Sequence, residues 1–204
     1  MIVPSMYLAE LKKEIALDFP IVYRKSTYLE QDFKRLLKHK HYESEVQLHF
    51  YLSKYKNNWI IRIEEQKKGA MVSFFTYYFK DDKMIGICPG VDDRYLSFFT
   101  PQFFRSYKAC MHPDTVSTID FARSFANENL VAEEIKLAYC ATGICKVFCS
   151  TPHGFMLGTC DEIKKFYKMN VFVTHEMLRG NFDEKAIMVN EMLEMYLKDA
   201  GNLD

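Results

Sequence analysis

The chain has 204 residues, of which 49% are hydrophobic and 15% aromatic, and its 27 Lys and Arg balance its 27 Asp and Glu. This length fits one domain, and the hydrophobic fraction supports a core that needs no disulfide or metal. Neutral net charge gives no signature of a DNA-binding domain. No apolar run approaches the ~18 residues of a membrane helix. Six cysteines without a secretory signal predict a cytoplasmic protein with reduced thiols.

The first 41 residues are predicted to be helical. Apolar residues recur at helical spacing from Tyr7 to Ile15, and Pro20 is expected to close this first helix. Ser26 or Thr27 can cap a second helix.

Residues 46–99 read as short antiparallel strands. Apolar and polar residues alternate from Val46 to Leu52 and again from Trp59 to Ile63, which predicts a hairpin, although a helix could also place Val46 on one face with Phe50. Turn residues at 67–69 and 81–83 separate further β-type segments.

The pair Thr100–Pro101 predicts a helix start, because Thr is an acceptable N-cap and Pro is favoured at the first helical position. Helices are expected over 101–137, strands over 144–174, and a final helix over 182–199 that Asp183 can cap. Successive strands with short links pair antiparallel. We therefore predict one α+β domain over 1–204, with a mostly antiparallel sheet, N-terminal helices, a helical insertion after residue 99 and a C-terminal helix.

Three segments carry a resemblance to other proteins. They are Ser53–Trp59, Thr100–Tyr107, and Gly154–Gly158 followed by Val171–Thr174. Together they resemble an uncharacterised group of proteins from Bacteroides-type gut bacteria. The arrangement is also similar to that of small bacterial ribonuclease toxins, in which a strand, a Thr-Pro-His turn and an Arg-bearing helix precede strands with a Gly-x-x-x-Gly element.

The chain departs from the toxin pattern at two positions. Gln102 stands where the pattern has His, and Ser106 stands where it has Arg, with Arg105 one position away. One position on a helix rotates a side chain by about 100°. The resemblance therefore implies an RNA-binding protein of ribonuclease-toxin-like ancestry that has lost activity. Any remaining activity would be that of a metal-independent ribonuclease.

Metal-independent RNA cleavage needs a base, an acid and a cation for the developing phosphorane charge. His153, His175 and Arg105 have these chemical types and are the candidate catalytic residues. The candidate nucleic-acid contacts are Gln102, Tyr107, Lys108 and Arg179. The alternative for each is an ordinary surface or core position, because nothing in the sequence brings these residues together.

No metal and no cofactor are predicted. Cys140, Cys145, Cys149 and His153 invite a zinc interpretation, but Cys145 and Cys149 on one strand would lie ~13 Å apart, so small core residues are favoured. Glycine-rich phosphate loops and nucleotide-binding fingerprints are absent from the sequence.

The alternative function is a non-enzymatic interaction or self-assembly module, which would make the protein a homo-oligomer. The aromatic residues within 74–79 and 98–99 can pack in a core, form a self-association surface or stack bases. The basic residues at 34–35 and 38–41 form either a solvated helix face or a phosphate site.

Overall fold

The computed structural model describes residues 1–3, 5–38, 46–67, 69–90, 95–112, 114, 117–130, 133–136 and 143–199. Four helices and nine strands lie in these ranges: α1 (Leu8–Lys38), β1 (Val46–Leu52), β2 (Asn58–Gln66), β3 (Gly69–Lys80), β4 (Lys83–Pro89), β5 (Leu96–Phe99), α2 (Pro101–Met111), α3 (Thr118–Asn129), β6 (Glu133–Lys136), β7 (Ile144–Thr151), β8 (Gly154–Asp161), β9 (Phe166–Thr174) and α4 (Phe182–Asp199). None of these helices is long and apolar enough to cross a membrane.

The strands form one sheet in the order β1-β2-β3-β4-β5-β9-β8-β7-β6. All described neighbours pair antiparallel except β5 and β9, which are parallel. This mostly antiparallel sheet with its N-terminal and C-terminal helices confirms the predicted α+β class. Among the described strands, the two antiparallel halves of the sheet, β1–β5 and β6–β9, are joined by the parallel pair β5 and β9.

Helix α2 continues from the end of β5 and lies beside β9. The parallel pairing ends where Phe99 lies opposite Met169, and the Thr100 N–H then donates to the Met169 carbonyl at 3.1 Å. Further along, the Phe172 N–H donates to the hydroxyl of Ser106 at 2.8 Å. The Thr100 side chain accepts from the helix N–H three residues on, so the predicted helix start is confirmed.

The two faces of the sheet are covered by different helices. Ile60 and Phe75 point to the side of α2 and α3, whereas Ile61 and Phe74 point to the side of α1. Adjacent residues of a strand point to opposite faces, and both faces here are buried. Phe74 and Phe75 are 2% and 0% exposed, so neither ring is open to a base.

Helix α4 covers part of the second half of the sheet. Val189 and Leu193 of α4 pack with Leu157 and Val171, which lie on the face opposite that of α2. Three hydrophobic clusters therefore hold the helices to one sheet, and α2 and α3 share the largest of them.

Helix α1 does not stop at Pro20. It runs through this residue as one helix, although two were predicted. Proline removes one backbone hydrogen bond, but apolar residues on both sides of it, including Phe19 and Val22, are buried against the sheet. This continuous buried face overrides the local preference for a break.

The predicted helical region 101–137 is wrong at its end, because Glu133–Lys136 pairs as a strand with β7. Residue 137 lies outside the described residues.

The predicted cap of the last helix is displaced as well. Asn181, not Asp183, accepts from the Glu184 N–H at 3.0 Å, while the Glu184 carboxylate accepts from the Asn181 N–H at 2.9 Å.

A buried carboxyl group joins α1 to the turn between β1 and β2. Asp18 is 0% exposed, and its Oδ2 accepts from the Ser53 hydroxyl at 2.7 Å and from Asn57 Nδ2 and Trp59 Nε1 at 2.8 Å each. The Asn57 side chain in turn accepts from the Ile2 N–H at 2.8 Å. This network accounts for Ser53, Asn57 and the indole N–H of Trp59 in that segment.

We expect Asp18→Ala to lower the free energy of unfolding by about 3–5 kcal/mol, because it leaves three buried donors without an acceptor. Asp18→Asn keeps one oxygen and should cost less. Asp32→Ala is the matched control, since Asp32 is exposed and its partner among the described residues is the exposed Arg35. It should change stability by less than about 1 kcal/mol in urea unfolding. Equal effects of Asp18→Ala and Asp32→Ala would contradict this role of Asp18.

Candidate functional site

A cavity of about 540 Å³, which we call the α2 cavity, lies between the β3–β4 turn and helices α2 and α3. Its lining residues are Phe79, Asp82, Lys83, Met84, Pro101, Phe104, Arg105, Lys108, Ala109, Ser117, Thr118 and Phe121. Two of the residues singled out from the sequence, Arg105 and Lys108, are among them.

Local geometry brings three cations to this cavity. Asp81 and Asp82 have φ values of 50° and 58°, and this left-handed pair makes the tight turn that places Lys83 at the start of β4. Arg105 and Lys108 are three residues apart on α2, so they lie on the same side of the helix.

The cavity has an electropositive rim and an apolar floor. The described lining residues include three cations and one carboxylate. The cations are Lys83, Arg105 and Lys108, and the carboxylate is Asp82. Within the described part of the chain, none of these three cationic side chains forms a hydrogen bond or ion pair. Phe79 is 43% exposed at the rim. The arrangement suits an anionic group bound beside a planar apolar one.

Tyr107 does not reach this cavity. Its ring is 0% exposed, its hydroxyl donates to Glu128 Oε2 at 2.7 Å, and it accepts from Asn129 Nδ2 at 3.0 Å. Burial first, and then Glu128, raises the pKa of Tyr107, so the hydroxyl stays neutral and able to donate. Burial of the ring contradicts the prediction that Tyr107 contacts nucleic acid.

The two positions that depart from the toxin pattern have different environments. Ser106 donates to the Phe103 carbonyl at 2.8 Å and accepts from the Phe172 N–H, so it holds α2 against β9. Gln102 is partly buried in the first turn of α2 and is not among the residues that line the α2 cavity.

Each candidate histidine makes a contact with Thr151 at the end of β7, His153 from the β7–β8 turn and His175 from the residue after β9. His175 Nε2 is 3.0 Å from the Thr151 carbonyl and therefore donates to it, and its ring packs edge-on against Phe155 at 4.7 Å. The His153 N–H donates to the Thr151 hydroxyl at 3.4 Å. Neither histidine is among the described residues that line the α2 cavity. Arg179 is exposed in the segment between β9 and α4.

A polar network between α2 and α3 was not anticipated from the sequence. The Ser124 hydroxyl donates to Glu128 Oε1 at 2.8 Å and lies 2.9 Å from His112 Nε2. With the serine proton directed to Glu128, His112 donates to the serine oxygen. This Ser-His-Glu group links the end of α2 to α3. The feature of the sequence that could have predicted this network is the spacing of Ser124 and Glu128, which are one helical turn apart.

The cysteines of the second half lie in the core. Cys145 and Cys149 are buried on β7, and Cys145 lies opposite Cys160 of β8. Cys140 is outside the described residues. In the part of the chain that the structure describes, no group of three or more His, Cys, Asp or Glu residues could hold a metal ion.

Comparisons of the chain with protein family models, with curated proteins and with solved structures give no match.

Tyr107→Phe should lower the free energy of unfolding by about 1–3 kcal/mol, because the partly buried Glu128 carboxylate and the buried Asn129 amide lose their shared partner. Tyr28→Phe is the matched control, since Tyr28 is 66% exposed. Denaturant unfolding measures both. Equal stability of Tyr107→Phe and the wild type would show that the hydroxyl network contributes nothing.

Proposed function

We propose that this protein binds single-stranded RNA at the α2 cavity and does not cleave it. The observation that carries the proposal is the group of three cations, Lys83, Arg105 and Lys108, which have no ion-pair partner among the described residues and lie beside the exposed ring of Phe79. Single-strand binding proteins combine these two elements, a cationic path for phosphates and an aromatic face for bases.

Each residue has a distinct part in the proposed complex. Arg105 offers a planar pair of donors that matches a phosphate, while Lys83 and Lys108 act as point charges. Phe79 stacks on one base without selecting its identity. Phosphate contacts of this kind fix position and carry little sequence information. The protein therefore favours unpaired RNA over a particular sequence.

The absence of cleavage is proposed because acid–base groups are separated from the phosphate contacts. His153 lies in the β7–β8 turn, and His175 follows β9 and bonds to the Thr151 carbonyl; neither is among the described lining residues of the α2 cavity. Ser106 makes backbone contacts at the position where the toxin pattern has arginine. The proposal is thus a cytosolic RNA-binding protein of degenerate ribonuclease-toxin-like ancestry.

The test is fluorescence anisotropy with a labelled oligouridine over a range of salt concentrations. Wild-type protein should bind at low salt and weaken as salt rises. Arg105→Gln/Lys108→Gln should lower the salt slope by about 1.4, since each lost phosphate contact on a single strand accounts for about 0.7. Phe79→Ala should weaken binding by about 1–3 kcal/mol at every salt concentration.

The matched control is Lys34→Gln/Arg35→Gln, which removes the same charge from the other basic segment. These residues already pair with Glu30 and Asp32, so RNA binding should be unchanged. The proposal fails if the wild type does not bind RNA at low salt. It also fails if Lys34→Gln/Arg35→Gln reduces RNA affinity as much as Arg105→Gln/Lys108→Gln does. Intact RNA after incubation is also expected.

Self-association is a second candidate function, favoured by the exposed face of β1. This strand lies at the edge of the sheet, and its Phe50 and Leu52 are 43% and 64% exposed. Edge strands with exposed apolar residues readily pair with another chain. A dimer in analytical ultracentrifugation that Leu52→Lys dissociates would favour this function.

A further inference from the structure

A second cavity, of about 700 Å³, lies between helix α1 and the end of β4 together with the start of β5; we call it the α1 groove. Its apolar floor includes Ile15, Phe19 and Leu96, which are at most 7% exposed. Its volume lies within the range of small-molecule sites, about 300–1,000 Å³. The groove is on the side of the sheet opposite α2, so it is separate from the α2 cavity.

The charged residues along the groove are all cationic. Lys12, Arg24 and Lys165 line it, and no carboxylate is among its described lining residues. The Arg24 and Lys165 side chains form no hydrogen bond or ion pair with other described residues. Uncompensated cations beside an apolar surface are complementary to an anion that carries an apolar body.

The cations lie at the two ends of the groove. Lys12 donates to the Lys164 carbonyl, which places it next to Lys165 at one end. Arg24 lies twelve residues further along α1, about 18 Å away at 1.5 Å per residue. The apolar floor residues Ile15 and Phe19 lie between the two ends. A ligand that uses this surface is therefore elongated, with its anionic group at an end.

We propose that the α1 groove binds an elongated amphipathic carboxylate, with the carboxylate between Lys12 and Lys165 and the apolar chain over Ile15, Phe19 and Leu96. Charge-assisted hydrogen bonds orient the head group, and burial of the chain provides the hydrophobic contribution. Arg24 closes the far end and favours a second carboxylate there.

The chain contains its own reporter for this site. Trp59 is the only tryptophan, and its ring is stacked with Phe19 at a centroid distance of 6.0 Å. A ligand over Phe19 changes the surroundings of that ring pair. Selective excitation of Trp59 should therefore show a saturable fluorescence change on titration with decanoate below its micelle concentration.

Head-group charge is tested with molecules of the same chain length. Decanoate should saturate the protein, and decyltrimethylammonium should bind at least about tenfold more weakly, because the rim is cationic. Decanedioate should be more sensitive than decanoate to Arg24→Gln. Equal affinity for decanoate and decyltrimethylammonium, or no saturable signal with decanoate, would overturn the proposal.

Lys165→Asn tests the head-group end. Lys165 has a φ of 50°, which Asn tolerates, so the variant keeps its backbone. It should raise the Kd for decanoate about tenfold, the loss expected for one charge-assisted hydrogen bond. Lys13→Gln, an equal charge change outside the groove, should leave the Kd unchanged. The proposal is wrong if Lys165→Asn binds as the wild type does, or if Lys13→Gln weakens binding equally. Circular dichroism confirms folding of both variants.

Discussion

The parallel pairing of β5 with β9 is the contact on which the architecture depends. It spans four residue pairs, Leu96 with Phe166 through Phe99 with Met169, and it is where the two antiparallel halves of the sheet are joined. A parallel pairing of only four residue pairs contributes little to the free energy of folding by itself. Helix α2 extends the junction because Ser106 accepts the Phe172 N–H where β5 has ended. The position of α2 therefore sets both the sheet junction and the α2 cavity.

Several of the aromatic residues between Phe74 and Tyr107 pack around this junction. One hydrophobic cluster contains Phe99, Phe103 and Tyr107 together with Phe172 of β9 and the phenylalanine rings of α3. The ring centroids of Tyr107 and Phe172, for example, are 5.0 Å apart. Large rings can cover the wide space that a helix leaves beside a strand. Most of these aromatics therefore serve to pack the core, whereas Phe79, at the rim of the α2 cavity, is 43% exposed.

Features governed by local chemistry were predictable from the sequence. The alternation in 46–63, the Asp81–Asp82 turn and the Thr100–Pro101 helix start each depend on neighbouring residues. Features that depend on distant contacts were not predictable. Pro20 lies inside α1 because packing on the sheet outweighs one lost hydrogen bond, and 133–136 is a strand because β7 offers it a partner.

The same division applies to the candidate sites. Arg105 and Lys108 were selected from the sequence, but Lys83 and Phe79 join them only because β3, β4 and α2 converge. The prediction that Tyr107 contacts nucleic acid is wrong, because its ring lies on the apolar side of α2 and is 0% exposed. The α1 groove could not be predicted from the sequence, because its walls come from α1 and from the sheet, which are distant along the chain.

The most direct test of the junction is amide hydrogen exchange at Phe172. In the wild type this amide should exchange as slowly as the buried Ile61 amide of β2. In Ser106→Ala it should exchange about tenfold or more faster, because its acceptor is lost, while Ile61 changes much less. A Phe172 amide that exchanges rapidly in the wild type, or that Ser106→Ala leaves unchanged, would contradict the role given to α2.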